Sequence, residues 1–241
     1  MKPLIKQLVI WCAHSPLLSR PRRFLANAVF FAIESRGRVI ISYDDSQRRP
    51  VLDLIRQIKR ETRMILDDNE AYQISMAVKR TEKVHGDLAE VGVFMGGSAK
   101  LIRESDGVRP LHLFDTFEGI PSVEQIDQPA FYQGQFAASI QEVKNYLKEY
   151  KNIYFYKGIF PATAKPVENK RFSFVHLDVD TYESTLACLQ FFHPRMNQGG
   201  VLLSHDYINH QGVKKAFDEF FEEKQEPIIE MSGTQCLIVK L

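Results

Sequence analysis

The 241-residue chain has few cysteines, no long apolar segment and almost no net charge. Its three cysteines are widely spaced and odd in number, which argues against a disulfide framework and against a paired-cysteine zinc site. The longest apolar runs, residues 8–13 and 28–33, are far shorter than the roughly 20 residues of a membrane-spanning helix. Because Lys2 and Lys6 precede only a short apolar stretch without a persuasive cleavage site, we expect a cytoplasmic protein.

The basic residues are concentrated near the start of the chain. Residues 1–63 hold 13 lysines and arginines against 5 aspartates and glutamates, a net charge of +8, and the remainder carries −7. We interpret residues 1–65 as an N-terminal helical arm or lid, broken by prolines. Its basic and apolar residues permit peripheral contact with an anionic membrane, although packing over the main domain is favoured. No nucleic-acid-binding motif accompanies the charge, so no nucleic-acid partner is expected.

From residue 66 the chain alternates between short apolar strands and amphipathic helices. Strands are predicted at residues 88–93, 111–114, 153–156, 172–177, 200–204, 227–231 and 236–241. Helices are predicted at residues 67–84, 98–105, 138–150, 184–192 and 213–222. Strands separated by helices imply parallel βαβ units with right-handed crossovers. The pattern predicts an α/β fold, with a Rossmann-like, doubly wound, mostly parallel seven-stranded sheet spanning residues 66–241.

The first predicted strand runs into a glycine-rich turn. Residues 88–98 contain the strand, then Gly92, Gly96 and Gly97, and then a helix that starts at Ser98. Glycines permit positive φ and a close approach of a ligand, and the free N–H groups at a helix start favour negative groups. Dinucleotide enzymes use Gly-x-Gly-x-x-Gly, whose second glycine admits a pyrophosphate, and that pattern is absent from the sequence here.

Two acidic residues accompany the turn. Glu90, near the end of the strand, would repel a pyrophosphate but could help hold the ammonium group of a methionine moiety. Asp115 ends the next strand, 23 residues beyond Gly92, a spacing that suits a carboxylate bonded to both ribose hydroxyls. The pattern therefore predicts an adenosine cofactor. The residues assigned to it are Glu90, Gly92, Gly96, Gly97, Ser98, Asp115 and Phe117.

Two later strands also end in carboxylates. Asp178 follows one strand, and His205 and Asp206 follow the next. If these strands are neighbours in a parallel sheet, both aspartates lie at one edge, where they repel unless a cation lies between them. Oxygen ligands, joined by His205 and by waters, suit magnesium or manganese rather than zinc. The alternative is that an aspartate here caps a helix, a role for which Asp180 and Thr181 are candidates.

Such a site supports deprotonation of a weakly acidic hydroxyl beside a sulfonium methyl group. A divalent ion can lower the pKa of bound water from about 15.7 to about 7, and the same polarisation would act on a coordinated alcohol. Asp178 would ligate the ion or take the proton, and His205 and His210 are alternative bases because imidazole titrates near neutrality. Alignment of oxygen, carbon and sulfur can contribute roughly 7–11 kcal/mol.

Together these motifs resemble the macrocin O-methyltransferase (TylF-type) family of class I S-adenosylmethionine-dependent methyltransferases, whose members methylate sugar hydroxyls on bacterial natural products. The resemblance covers residues 66–241 and rests on four segments, residues 90–97, 115–121, 177–185 and 199–207. It implies S-adenosylmethionine and Mg²⁺ or Mn²⁺ as cofactors, with Asp178 as metal ligand and base. It also implies that the acceptor is a sugar or a glycoside. The N-terminal region of such enzymes resembles a lid or a dimer arm, which is compatible with a homodimer.

One position departs from the family's pattern. The family usually has two adjacent aspartates before the tyrosine, whereas this chain has His205 and Asp206 before Tyr207. The resemblance therefore assigns the metal to Asp178, His205 and Asp206, and a histidine ligand shifts the preference toward manganese or another transition metal.

Three other functions share part of this pattern. A nicotinamide-dependent oxidoreductase would use the same sheet and ribose-binding acid, but its second glycine is missing from the turn. A cofactor-binding protein without turnover would keep the pocket with an altered metal site at His205. A nucleic-acid methyltransferase is suggested only by the basic N-terminal segment. The sequence favours an O-methyltransferase that acts on a sugar or a glycosylated small molecule.

Overall fold

A computed structural model of the protein describes residues 46–241. The predictions of an N-terminal arm, of membrane contact and of a dimer fall mostly on residues 1–45, which lie outside the described residues. From residue 46 onward no helix has the length and hydrophobicity that crossing a bilayer would require. The first described helix begins with Pro50 in its first turn, a position where the missing N–H of proline costs no helical hydrogen bond.

Helices and strands alternate through the described chain as the sequence predicts. The helices are α1 (Arg49–Glu61), α2 (Asp68–Arg80), α3 (Gly97–Ser105), α4 (Ile140–Tyr146), α5 (Tyr182–Phe192) and α6 (Gln211–Phe221). The strands are β1 (Asp87–Val91), β2 (Leu111–Asp115), β3 (Ile153–Lys157), β4 (Phe172–Leu177), β5 (Met196–Ser204), β6 (Ile229–Glu230) and β7 (Cys236–Val239). Short 3₁₀ helices cover Gln125–Asp127, Ala162–Val167 and His193–Arg195.

The seven strands form one sheet in the order β3-β2-β1-β4-β5-β7-β6. Strands β1 to β5 are parallel, and β7 runs antiparallel to both β5 and β6. This confirms the predicted Rossmann-like, doubly wound, mostly parallel sheet. The strand order reverses between β1 and β4, and in such sheets ligands bind in the crevice outside the carboxyl ends of the strands at that point.

The centre of the sheet is covered on both faces. All six residues of β4 are buried, as expected for a parallel strand with helices above and below it. Helix α5 packs its Phe192 ring against Phe172 of β4, with ring centroids 5.0 Å apart, and against Phe160 at 5.2 Å. This packing holds α5 against the sheet near the amino end of β4.

The ends of several elements differ from the sequence prediction. Helix α2 ends at Arg80 rather than near residue 84, because the guanidinium of Arg109 donates to the carbonyl oxygens of Val78 and Thr81, both at 2.9 Å. Strand β5 starts earlier than residue 200, because Met196 pairs with a residue of β4. Contacts from distant parts of the chain set both ends.

Candidate active site

A cavity of about 360 Å³ opens at the carboxyl edge of the parallel strands. Residues that directly follow, or end, four of the strands line it, namely Gly92, Asp115, Asp178, His205 and Asp206. The four strand ends predicted to converge therefore do meet at one edge of the sheet. The volume lies within the roughly 300–1,000 Å³ that is usual for small-molecule sites.

The turn after β1 is built around Gly92. This residue has a φ of +89°, and a Cβ atom there would lie 1.8 Å from the carbonyl oxygen of Asp178. Its N–H donates to the carbonyl oxygen of Phe114 at 2.9 Å, and the N–H of Asp178 donates to Val91 at 2.9 Å. The turn is therefore bonded to the strands on both sides, and only glycine fits.

Asp115 lies at the end of β2 with its carboxylate against this turn. One oxygen, Oδ2, accepts the N–H groups of Val93 at 2.7 Å and Phe94 at 2.9 Å, and Oδ1 accepts the N–H of Phe117 at 2.6 Å. Since a carboxylate offers about four acceptor positions, this arrangement leaves capacity for a ligand hydroxyl. Phe94 and Phe117 both have positive φ, which bends the chain around the carboxylate.

Glu90 lies behind the turn rather than in the cavity. Its side chain is fully buried, and its Oε1 lies 2.9 Å from Nδ1 of His176. Burial raises the pKa of Glu90 above its usual value. Of the residues assigned to the cofactor, four line the cavity, namely Gly92, Gly97, Ser98 and Asp115. The other three, Glu90, Gly96 and Phe117, support the turn but do not line the cavity.

Asp178, His205 and Asp206 form a cluster of potential metal ligands. Each offers one ligand atom, and these atoms all lie within 4.8 Å of one another. Nδ1 of His205 is 3.5 Å from Oδ1 of Asp178 and 3.1 Å from Oδ2 of Asp206. Two carboxylates and one imidazole around a common point fit a divalent ion.

Negative charge dominates this end of the cavity. Burial raises the pKa of Asp178, and it raises the pKa of Asp180 still further, with repulsion from neighbouring carboxylates adding to both. Burial alone would lower the pKa of His205, but Asp178, Asp206 and Glu70 outweigh it and raise the value to about 11. Burial opposes ionisation of Asp206 too, yet its contact with His205 lowers its pKa. The site therefore favours a cationic ligand.

The comparisons with known proteins agree with this geometry. A family model described as Macrocin-O-methyltransferase (TylF) matches residues 37–237. The chain belongs to this family. The match begins ahead of residue 66, so it includes part of the segment predicted to be an arm.

Two Streptomyces proteins to which this TylF-family chain is similar are named as O-methyltransferases. It is 30% identical to 8-demethyl-8-(2,3-dimethoxy-alpha-L-rhamnosyl)-tetracenomycin-C 4'-O-methyltransferase of Streptomyces olivaceus, over 58% of this chain and 59% of that protein. It is 29% identical to demethyldecarbamoylnovobiocin O-methyltransferase of Streptomyces niveus, over 57% of this chain and 58% of that protein. The chain thus spans just under three fifths of these curated relatives. Among solved structures, the O-methyltransferase NovP is similar at a TM-score of 0.67 and 25% identity, covering 73% of this chain and 81% of NovP.

Sequence reasoning missed two residues behind the cluster of Asp178, His205 and Asp206. Glu70, in the first turn of α2, lies with Oε2 3.2 Å from Nε2 of His205. Thr234, just before β7, lies with its hydroxyl 3.3 Å from the same nitrogen. Asp67 and Glu70 form a recognisable capping box, but nothing in the local sequence connects that box to His205.

Sequence reasoning also missed the cap of α5. Thr181 occupies the N-cap position, but its hydroxyl bonds to Ser184 rather than to a backbone N–H. The carboxylate of Asp127, from the long loop after β2, accepts the N–H of Tyr182 at 3.2 Å instead. Asp180 has a φ of +63° and lines the cavity. The capping role proposed for Asp180 and Thr181 is thus performed by Asp127, which ties the loop to the start of α5.

His210, the other candidate base, also lines the cavity. Its Nε2 lies 3.6 Å from Oδ1 of Asp206, and its ring packs against Phe131 at a centroid distance of 4.5 Å. Its ring therefore lies next to both Asp206 and the long loop that follows β2.

Proposed function

We propose that this protein is an S-adenosylmethionine-dependent O-methyltransferase that acts on a hydroxyl of a sugar or a glycosylated small molecule with the help of a divalent ion. The observation that carries the proposal is that Asp115 and the glycine turn share one cavity with the acidic cluster around Asp178. Family membership supports the reaction class. The Streptomyces olivaceus relative, whose name describes a rhamnosyl-bearing molecule, supports the acceptor class.

The glycine-turn side of the cavity suits the methyl donor. Asp115 is held by three backbone N–H groups, so its remaining acceptor position is fixed in space for a ribose hydroxyl. Gly97 and Ser98 begin α3, where free N–H groups suit the carboxylate of the methionine moiety. When bound, S-adenosylmethionine supplies an electrophilic sulfonium methyl group. Asp178 and its acidic neighbours favour that positive charge.

The acidic side of the cavity suits activation of the acceptor. Asp178, His205 and Asp206 would hold the divalent ion, which when bound makes an acceptor hydroxyl more acidic. Asp178 is the better placed base, because its backbone packs against the Gly92 turn that is assigned to the methyl donor. His205 holds its proton too tightly to act as a base, since its pKa is about 11.

The reaction then balances without another reagent. The acceptor O–H gives its proton to Asp178, and the acceptor oxygen forms a bond to the methyl carbon as the carbon–sulfur bond breaks. The electron pair of that bond stays on sulfur, which leaves a neutral thioether. Buried apolar residues, among them Ile120 and Phe131, also line the cavity and would limit the access of water to the acceptor.

A turnover assay tests the proposal against its alternatives. The full chain is incubated with S-adenosylmethionine and a panel of glycosides, with Mg²⁺ or Mn²⁺ and with a chelator, and methylated product is measured by mass spectrometry. We expect product that requires the ion. Reduction or oxidation of a glycoside with a nicotinamide cofactor would indicate an oxidoreductase, and binding of S-adenosylmethionine without product from any glycoside would indicate a cofactor-binding protein.

A further inference from the structure

The two ring nitrogens of His205 face different surroundings. Nδ1 faces the carboxylates of Asp178 and Asp206 at 3.5 and 3.1 Å. Nε2 faces away from them, toward the Thr234 hydroxyl at 3.3 Å and Oε2 of Glu70 at 3.2 Å. The imidazole therefore separates a candidate metal site from a second polar group that belongs to α2 and the segment before β7.

Hydrogen-bond accounting assigns the hydrogen to Nε2. The Thr234 hydroxyl lies 2.9 Å from Oε1 of Glu70, which also accepts the N–H of Thr234 at 2.9 Å. An ionised carboxylate only accepts, so the single hydroxyl hydrogen of Thr234 is donated to Glu70. The Thr234 oxygen can then only accept from His205. Nε2 consequently carries a hydrogen, so a bound ion would displace the proton on Nδ1 and take that nitrogen as its ligand.

Glu70 is held rigidly enough to impose this orientation. Its residue is 5% exposed, and its second oxygen, Oε2, accepts the N–H of Asp67 at 2.9 Å in the capping box of α2. The Glu70 carboxylate also interacts more favourably with a histidine at position 205 than with the aspartate that is usual there in the family. An aspartate at position 205 would bring a further negative charge close to Glu70, whereas the imidazole N–H is a suitable donor to it.

We propose that Glu70 and Thr234 are positioning residues that orient His205 as a nitrogen ligand, so that the site prefers Mn²⁺ or another transition-metal ion over Mg²⁺. The inference rests on the proposed function and goes beyond it. A metal-ligating histidine almost always donates its other ring N–H to a carboxylate, carbonyl or water, which fixes the ring and makes the ligand more basic. Mg²⁺ favours oxygen ligands, whereas imidazole suits transition metals.

The test measures ion binding directly rather than turnover. Mn²⁺ is titrated into the full chain and free Mn²⁺ is followed by electron paramagnetic resonance, with Mg²⁺ added as a competitor. Electron spin-echo modulation then reports whether a ¹⁴N nucleus is coupled to bound Mn²⁺. We expect Mn²⁺ to bind more tightly than Mg²⁺ and to show the nitrogen coupling.

Three variants separate positioning from general stability. Glu70→Gln should weaken Mn²⁺ binding about 10–100-fold, the usual effect of losing the partner of a histidine ligand, with a smaller change for Mg²⁺. His205→Asn offers an oxygen in place of the nitrogen and should remove the ¹⁴N coupling and the preference for Mn²⁺. Asp67→Ala is the matched control, since it breaks the same capping box without touching His205, and it should leave the ratio of the two affinities unchanged.

The outcomes distinguish this inference from the proposed function. Tighter binding of Mg²⁺ than of Mn²⁺, or bound Mn²⁺ without nitrogen coupling, would overturn the inference and leave a metal-assisted methyltransferase intact. An unchanged affinity ratio in Glu70→Gln would overturn the positioning role of Glu70. Binding of neither ion to the unaltered chain would overturn both the inference and the metal part of the proposed function, and would leave His205 as the cation between the two aspartates.

Discussion

Gly92 packs directly against the backbone of Asp178, so closely that a Cβ atom at Gly92 would lie 1.8 Å from the Asp178 carbonyl oxygen. The contact joins the turn assigned to the methyl donor with the residue assigned as base. Any shift of one therefore moves the other, and the distance between donor and base depends on a glycine at this position.

Gly92→Ala should disrupt both halves of the site. The added methyl group must displace the strand end, and the positive φ adds about 1–3 kcal/mol of strain. We expect reduced stability in urea unfolding and a loss of S-adenosylmethionine binding in calorimetry. Gly107→Ala is the control, since no atom of the described residues lies within 4 Å of its Cβ position. Equal donor affinity in Gly92→Ala and the unaltered protein would contradict the role of this contact.

Asp178→Asn should separate catalysis from cofactor binding. The amide cannot take the acceptor proton, so we expect kcat to fall by about 10²–10⁴-fold, the usual contribution of a general base. Affinity for S-adenosylmethionine should stay within a few fold, because Asp115 and the turn are untouched. The control is Asp53→Asn on the exposed face of α1, far along the chain from the strand ends. Full turnover by Asp178→Asn would mean that the base lies elsewhere, with His210 the next candidate.

Glu226 should make stability depend on pH in the acid range. Burial opposes its ionisation, but the ammonium of Lys240 and the nearby His193 lower its pKa from 4.5 to about 2. A carboxyl group whose pKa is lower in the folded than in the unfolded state stabilises the fold at pH values above its unfolded-state pKa. This stabilisation is lost as the pH falls through its folded-state pKa. Glu226→Gln should therefore cost about 1.5–3 kcal/mol at neutral pH.

Urea unfolding at several pH values checks this prediction. The stability difference between Glu226→Gln and the unaltered protein should be constant above about pH 4.5 and should shrink toward pH 2. Glu223→Gln, an exposed neighbour on the turn after α6, should show no such difference. A difference that is independent of pH would mean that the amide loses packing rather than an ionic contact.

Asp127→Ala should loosen the long loop after β2. The Asp127 carboxylate accepts the first N–H of α5, and a Cβ atom at Gly212 would lie 1.8 Å from its Oδ1. Loss of a cap of this kind costs about 0.5–2 kcal/mol, measurable by urea unfolding. Asp127→Asn keeps an acceptor oxygen and should recover much of the loss. Equal stability of the alanine and asparagine variants would contradict the capping role.

The strand pattern made the fold and the general place of the site predictable. Three of the parallel strands, β1, β2 and β4, are short apolar runs with Gly92, Asp115 and Asp178 at their ends, and parallel strands put those ends at one edge. Gly92, Asp115 and Asp178 could therefore be placed in one cavity from local sequence alone.

Contacts between distant segments could not be predicted in the same way. Glu70 contacts His205 although the two residues lie far apart in the sequence. Asp127 caps α5 from a loop in which no local sequence pattern indicates a helix cap. Glu90 follows a pattern typical of a ligand-binding acid, yet its side chain is directed into the core against His176. Side chains alternate between the two faces of a strand, so the position of Glu90 in the strand decides which way its side chain is directed. When both faces of the strand are buried, no polar face exists, and the sequence does not show which way that is.

Calorimetric titration of S-adenosylmethionine into the full chain, with Asp115→Asn and NAD as comparisons, decides whether the glycine turn and Asp115 hold the methyl donor. We expect saturable binding of S-adenosylmethionine, weaker binding by Asp115→Asn, and no binding of NAD. Absence of S-adenosylmethionine binding, or equal binding after the change at Asp115, would contradict this role of the turn and Asp115.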